Sequence, residues 1–88
     1  MIKIYTVYDV VADVYSQPFY LKNNEIAKRE IKNLVNDNSQ PNLFNTNIED
    51  KILYLIGEFD ENKATITPLE HERVIHLKDL KESPKDVK

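Results

Sequence analysis

Lys28, Arg29 and Lys32 are the residues in this chain whose types and spacing come nearest to a chemical task. At about 100° per residue along a helix they fall within roughly 100° of arc, beside an apolar stripe and with Glu25 among them. Cations so placed can contact successive phosphates of a nucleic-acid strand. Lys22 and Tyr20 stand just before the same segment and complete a candidate nucleic-acid-binding set. The plainer alternative is a solvated helix face carrying a Glu25–Arg29 pair four residues apart. A second chemistry lies in the rings of Tyr5, Tyr8, Tyr15, Phe19, Tyr20 and Tyr54. Exposed strand tyrosines stack on bases, whereas buried ones pack cores and interfaces.

Other chemistry is sparse. His71 and His76, with Glu70 and Glu72 beside them, match neither the i, i+4 pair of a helix nor the alternate positions of a strand, so no metal site is expected. The carboxylate pairs Asp60–Glu61 and Glu49–Asp50 fall where solvated turns are expected, without a partner histidine or apolar pocket to shift a pKa. Ser16 and Ser39 have no recognisable base or oxyanion context. A single glycine, Gly57, rules out a P-loop or a Gly-rich dinucleotide turn. With no cysteine there is no disulfide framework, thiol nucleophile or thiolate metal site. The expectation is a protein that is not an enzyme and carries no cofactor.

The elements that must hold these residues follow from patterning. Ile52, Leu53, Tyr54, Leu55 and Ile56 make an apolar run too short for an ordinary helix, so it reads as a central strand covered on both faces. Gly57 follows at once and marks a bulge or a close backbone approach. After Phe59 the polar residues 60–63 turn the chain, with Asn62 best able to take a positive φ. Thr65, Ile66 and Thr67 return as a strand that Pro68 ends. Earlier, residues 2–8 form the first strand. Residues 10–17 allow either a tight turn with a strand or a short helical turn, the former being favoured. Pro18 opens a further strand, where its missing donor is tolerated.

Asn23 or Asn24 caps a helix with Glu25 in its first turn and Ala27, Ile31, Leu34 and Val35 on its apolar stripe. It should stop near residues 36–38, where asparagine can take a left-handed cap. Residues 36–47 read as a long, Asn-rich loop and the most mobile region. Residues 73–77 suggest one more short strand. The sequence thus predicts an α+β domain over residues 1–77, a small antiparallel sheet of four to five strands with one helix packed on it in β-β-α-β-β order. A flexible, disordered charged tail is expected over residues 78–88.

At 88 residues the chain is one domain with a thin stability margin, and exposed sheet edges favour a homodimer. An apolar fraction of 41% and a charged fraction of 31% are globular values. No run reaches the roughly 18 apolar residues of a membrane span, and no secretory signal layout opens the chain. The net charge of −3 argues against indiscriminate polyanion binding through the global field while leaving room for a local basic face.

Taken in order, Ile4-Tyr5-Thr6-Val7-Tyr8-Asp9, Pro18-Phe19-Tyr20, the helix of residues 25–37 ending Val35-Asn36-Asp37, and Ile56-Gly57-Glu58-Phe59-Asp60 resemble a known family. Residues 2–67 look like the small non-structural protein of gokushovirus-type microviruses, phages with circular single-stranded DNA genomes. In that family a glycine often follows the Phe-Asp turn, near the place where Ala64 stands here. The resemblance implies a non-structural protein in the host bacterial cytoplasm, tied to genome replication and to the switch to single-stranded DNA synthesis. It brings no catalytic residues. Two functions follow as expectations: weak binding of single-stranded DNA, or, as an alternative, a non-catalytic dimeric adaptor docking on a phage or host replication or capsid protein.

Overall fold

The computed structural model describes residues 1–82 and shows an α+β fold in which one helix covers one face of a five-stranded antiparallel sheet. The strands are β1 (Ile2–Asp9), β2 (Val14–Tyr15), β3 (Phe19–Leu21), β4 (Lys51–Asp60) and β5 (Thr65–His76), and α1 is Asn24–Val35. β1 and β4 are central. β4 pairs with β1 on one side and β5 on the other, while β2 and β3 share the far edge of β1 at its opposite ends.

The break between β2 and β3 is bridged by Ser16. Its hydroxyl oxygen accepts from the Val7 N–H at 3.0 Å, and its own N–H donates to the Val7 carbonyl at 2.8 Å. Both ladder groups of Val7 stay satisfied as the chain shifts register before Pro18. Pro18 directly precedes β3, as a residue without a donor should.

Asn23 caps α1 by accepting from the Ile26 N–H at 2.9 Å. Ala27, Ile31 and Val35, spaced four apart, are buried on Tyr5, Val7, Leu53 and Leu55 of the sheet. Tyr5 is fully buried, and its hydroxyl donates to Asn24 Oδ1 at 2.6 Å, tying the helix start to β1. Burial, reinforced by Glu72, pushes the Tyr5 phenol up to about 12.

Gly57 meets its expectation. It pairs with Ile4 and Pro68 beside a register shift that leaves Ile56 as an extra residue against β1. A Cβ there would lie 3.0 Å from the Thr67 carbonyl oxygen.

Four expectations need correction. Pro68 does not end its strand: β5 runs unbroken to His76, so residues 73–76 continue it instead of forming a separate strand. Proline is tolerated because β5 is an edge strand bulged near that point. In the β4–β5 turn it is Ala64, at φ 54°, that takes the left-handed conformation, while the Asn62 N–H donates to Asp60 Oδ1 at 2.9 Å. The helix ends without a left-handed cap: Asn36 has φ −98°, and its side-chain amide donates to Lys32 O at 2.8 Å and to Leu80 O at 2.9 Å. Finally, the expected tail does not begin at residue 78. Leu77–Leu80 forms a 3₁₀ turn that buries Leu77 and Leu80 in the main core, and Asn36 Oδ1 accepts from the Glu82 N–H at 2.9 Å. Residues 83–88 of that expected tail lie outside the described residues.

Residues 36–47 contain no helix or strand, as expected, but they are cross-tied. Asn42 Oδ1 accepts from the N–H groups of Phe44 and Asn45, and the Asn45 amide donates to the carbonyls of Asp37 and Gln40. Lys51, nearly fully buried, donates to Leu43 O at 2.8 Å and closes the loop onto β4.

Candidate nucleic-acid interface

Alternation along the strands sends one set of side chains into the helix-covered core and the other to the opposite face. Tyr5, Phe19 and Leu21 pack in the core. Their neighbours Ile4 and Tyr20 are paired with each other and belong to the other face. There, four rings from four strands gather. Tyr8 of β1 lies 4.5 Å from Tyr15 of β2 and 6.2 Å from Tyr54 of β4, centroid to centroid. His71 of β5 lies 5.8 Å from Tyr15 and 6.3 Å from Tyr54. Tyr15 is 52% exposed, His71 is exposed, and Arg73, exposed as well, stands directly across the ladder from Tyr54.

The turn between β1 and β2 fixes the first of these rings. Asp9 Oδ1 accepts from the N–H groups of Val11 and Ala12 at 3.0 Å each, and the Asp13 N–H donates to Asp9 O at 2.8 Å. Asp13 itself takes φ 58°, which an aspartate tolerates better than most residues. Its carboxylate accepts the Tyr8 hydroxyl at 2.5 Å, and this hydrogen bond is the main reason the Tyr8 phenol is pushed up to about 12. The cluster is therefore a partly exposed ring surface beside one guanidinium, with the Tyr8 ring held by Asp13. Such a surface can stack a nucleobase and hold a phosphate.

The residues expected to bind nucleic acid divide into two places. Arg29 and Lys32 are exposed on α1 and Lys28 is half-buried there, with Lys32 3.7 Å from Glu82. Among the described residues no ion pair joins Glu25 to Arg29. Tyr20 and Lys22 line one hollow together with Glu61. Tyr20 faces away from the helix, so the fold does not bring it to Lys28, Arg29 and Lys32.

His71 and Arg73 were not singled out for binding by sequence. Strict alternation puts Val74 and Ile75 on opposite faces, but a register shift at Val74 lets both pack against the core. The signal that strand alternation carries is lost at that bulge. Among the described residues no three His, Asp or Glu side chains are placed to hold a metal, and no helix is long and apolar enough to cross a membrane.

A protein-family model described as Phage ORF5 protein matches residues 2–81. The chain belongs to that family. The match runs past residue 67, where the resemblance read from sequence motifs stops, through β5 and the Leu77–Leu80 turn of this Phage ORF5 family member. No curated protein and no solved structure matches it.

Proposed function

We propose that this phage protein binds single-stranded DNA, weakly and without strong sequence preference, on the sheet face away from α1. The observation that carries the proposal is the cluster of Tyr8, Tyr15, Tyr54 and His71, drawn from four strands, with Arg73 across from Tyr54. Ring-bearing β-sheet faces bind single strands because every base offers a π-face, which makes stacking tolerant of sequence. The net charge of −3 opposes association and keeps the affinity modest. In this role the protein serves viral genome replication and single-strand synthesis in the host bacterial cytoplasm, as the resemblance to microvirus non-structural proteins implies.

Titration of a labelled oligothymidine at two salt concentrations tests it. One to three phosphate contacts give a log–log salt slope between about −0.7 and −2. Tyr15→Ala and Arg73→Ala should each weaken binding, the lost ring by roughly 1–3 kcal/mol. The triple change of Lys28, Arg29 and Lys32 to alanine should leave affinity nearly unchanged. If the triple variant alone abolishes binding, the site belongs on α1. If the wild type binds nothing at low salt, the DNA-binding proposal fails.

A second function has one observation in its favour. The turn between β1 and β2 exposes Val10 and Val11, the latter at 75%, next to exposed Val14. An apolar tip of this kind suits an adaptor that docks on a replication or capsid protein.

A further inference from the structure

The other end of the same sheet face carries no rings from the cluster and has a different chemistry. Tyr20, 50% exposed, stands between two hollows. One, of about 240 Å³, is lined by Ile4, Pro18, Ile56, Ile66 and Pro68 with the Gly57 backbone. The second, of about 280 Å³, is formed by Ile2 and Phe59. The Tyr20 and Phe59 rings meet edge to face at 6.3 Å, which fixes the ridge between the hollows. Ile66, 60% exposed, is a second projecting side chain.

We infer that this patch is the contact surface for a second copy of the chain, packed about a two-fold axis. Knob and hole lie on one patch, as an isologous interface requires: whatever one copy inserts, it must also receive. Ile66 and Tyr20 supply the knobs, and the hollows beside them supply the holes. The lining of these two hollows is uncharged in a chain whose residues are 31% charged, and the charged groups that border Tyr20 on its other side, Lys22 and Glu61, are of opposite sign.

Edge-to-edge pairing of sheets, the other route to a dimer, is obstructed. The β5 edge is interrupted by Pro68 and two register shifts, and the opposite edge is split between the two-residue β2 and the three-residue β3. These are devices that blunt an edge against added strands. The inference is independent of DNA binding, because it uses none of the residues of the ring cluster.

Sedimentation equilibrium of the DNA-free protein between about 5 and about 100 µM decides it. The expected mass is twice the 10.3 kDa of one chain. Ile66→Asp and, separately, Tyr20→Ser should each raise the dimer dissociation constant by roughly tenfold to hundredfold while circular dichroism keeps the wild-type signal. Val11→Asp, at the exposed turn far from the patch, should leave the mass doubled. Both patch positions are at least half exposed, so if one variant fails to fold the other still gives the answer. A single-chain mass for the wild type throughout the range overturns the inference. So does a dimer that neither patch variant weakens, or one that Val11→Asp dissociates instead.

Discussion

Replacing Gly57 with valine probes a close backbone approach in the sheet. A Cβ at this position meets the Thr67 carbonyl oxygen at 3.0 Å, Ile4 Cδ1 at 3.5 Å and Pro68 Cα at 3.7 Å. The first contact is with backbone and cannot be relieved by turning a side chain. Alanine adds only the Cβ, and edge strand β5 can yield a few tenths of an ångström. The restricted unfolded chain returns about 0.4–1 kcal/mol, so Gly57→Ala should be within about 1 kcal/mol of wild type. Valine adds two methyl groups with nowhere to go but the Ile4 and Pro68 contacts, an overpacking cost of about 3 kcal/mol. Setting the entropic gain of about 1 kcal/mol against it leaves a net loss of about 2 kcal/mol. For a domain of this size that lowers the melting temperature by about 8–16 °C. Thermal unfolding followed by circular dichroism measures it. A valine variant that melts within a degree or two of wild type would show that the Thr67 contact constrains nothing.

Ala64 should gain by becoming glycine, because its φ of 54° is strained for any residue with a Cβ; Ala64→Gly is expected to stabilise by about 0.5–1 kcal/mol in a denaturant titration, and Asn62→Gly to give no gain. Leu80→Ala should cost about 2–4 kcal/mol in the same assay, and a chain ending at residue 77 should lose its cooperative transition, since Leu80 is part of the core. The Tyr8 hydroxyl, raised from 10.0 to about 12 chiefly by its hydrogen bond to Asp13, holds its proton in the folded chain at pH values where the unfolded chain has lost it. That contribution is fully present below pH 10.0 and is lost as pH rises through about 12. Ultraviolet titration of Asp13→Asn should show the Tyr8 transition moved down toward 10.0, and an unchanged transition would refute the assignment to Asp13.

Much of the fold could be read where pattern and local chemistry agree. The apolar run of β4, the lone glycine after it and the Asn23-capped stripe of α1 each carry a signal within a few residues, and each is where the sequence puts it. Apart from the place of the left-handed residue in the β4–β5 turn, the misses share a cause: they depend on partners distant in the chain. Pro68 looks like a strand end until β5 is known to lie at the edge. Leu80 looks like part of a charged tail until Val35 and Leu53 are seen with it in one cluster. The candidate site was legible in part. The tyrosines were evident as a ring-rich set, but bulges in β5 decide that His71 and Arg73 join them, and strand pairing decides that Tyr20 faces away from the basic residues of α1.

The Asn36 side chain has a consequence for the order of folding. It joins the last turn of α1 to Leu80 and Glu82, which are 44 and 46 residues further along the chain. Closing a loop of that length costs on the order of 3 kcal/mol in chain entropy before any contact is gained, so this clasp should form after β1, β4 and β5 have already brought the ends together. A nascent chain can wind α1 and cap its last carbonyls as soon as residue 37 exists, yet the Asn36 side chain finds its second partners only when Leu80 and Glu82 arrive. Loosening the clasp with Asn36→Ala should therefore quicken unfolding and leave the refolding rate almost untouched, making the helix end the place where this small protein first comes apart.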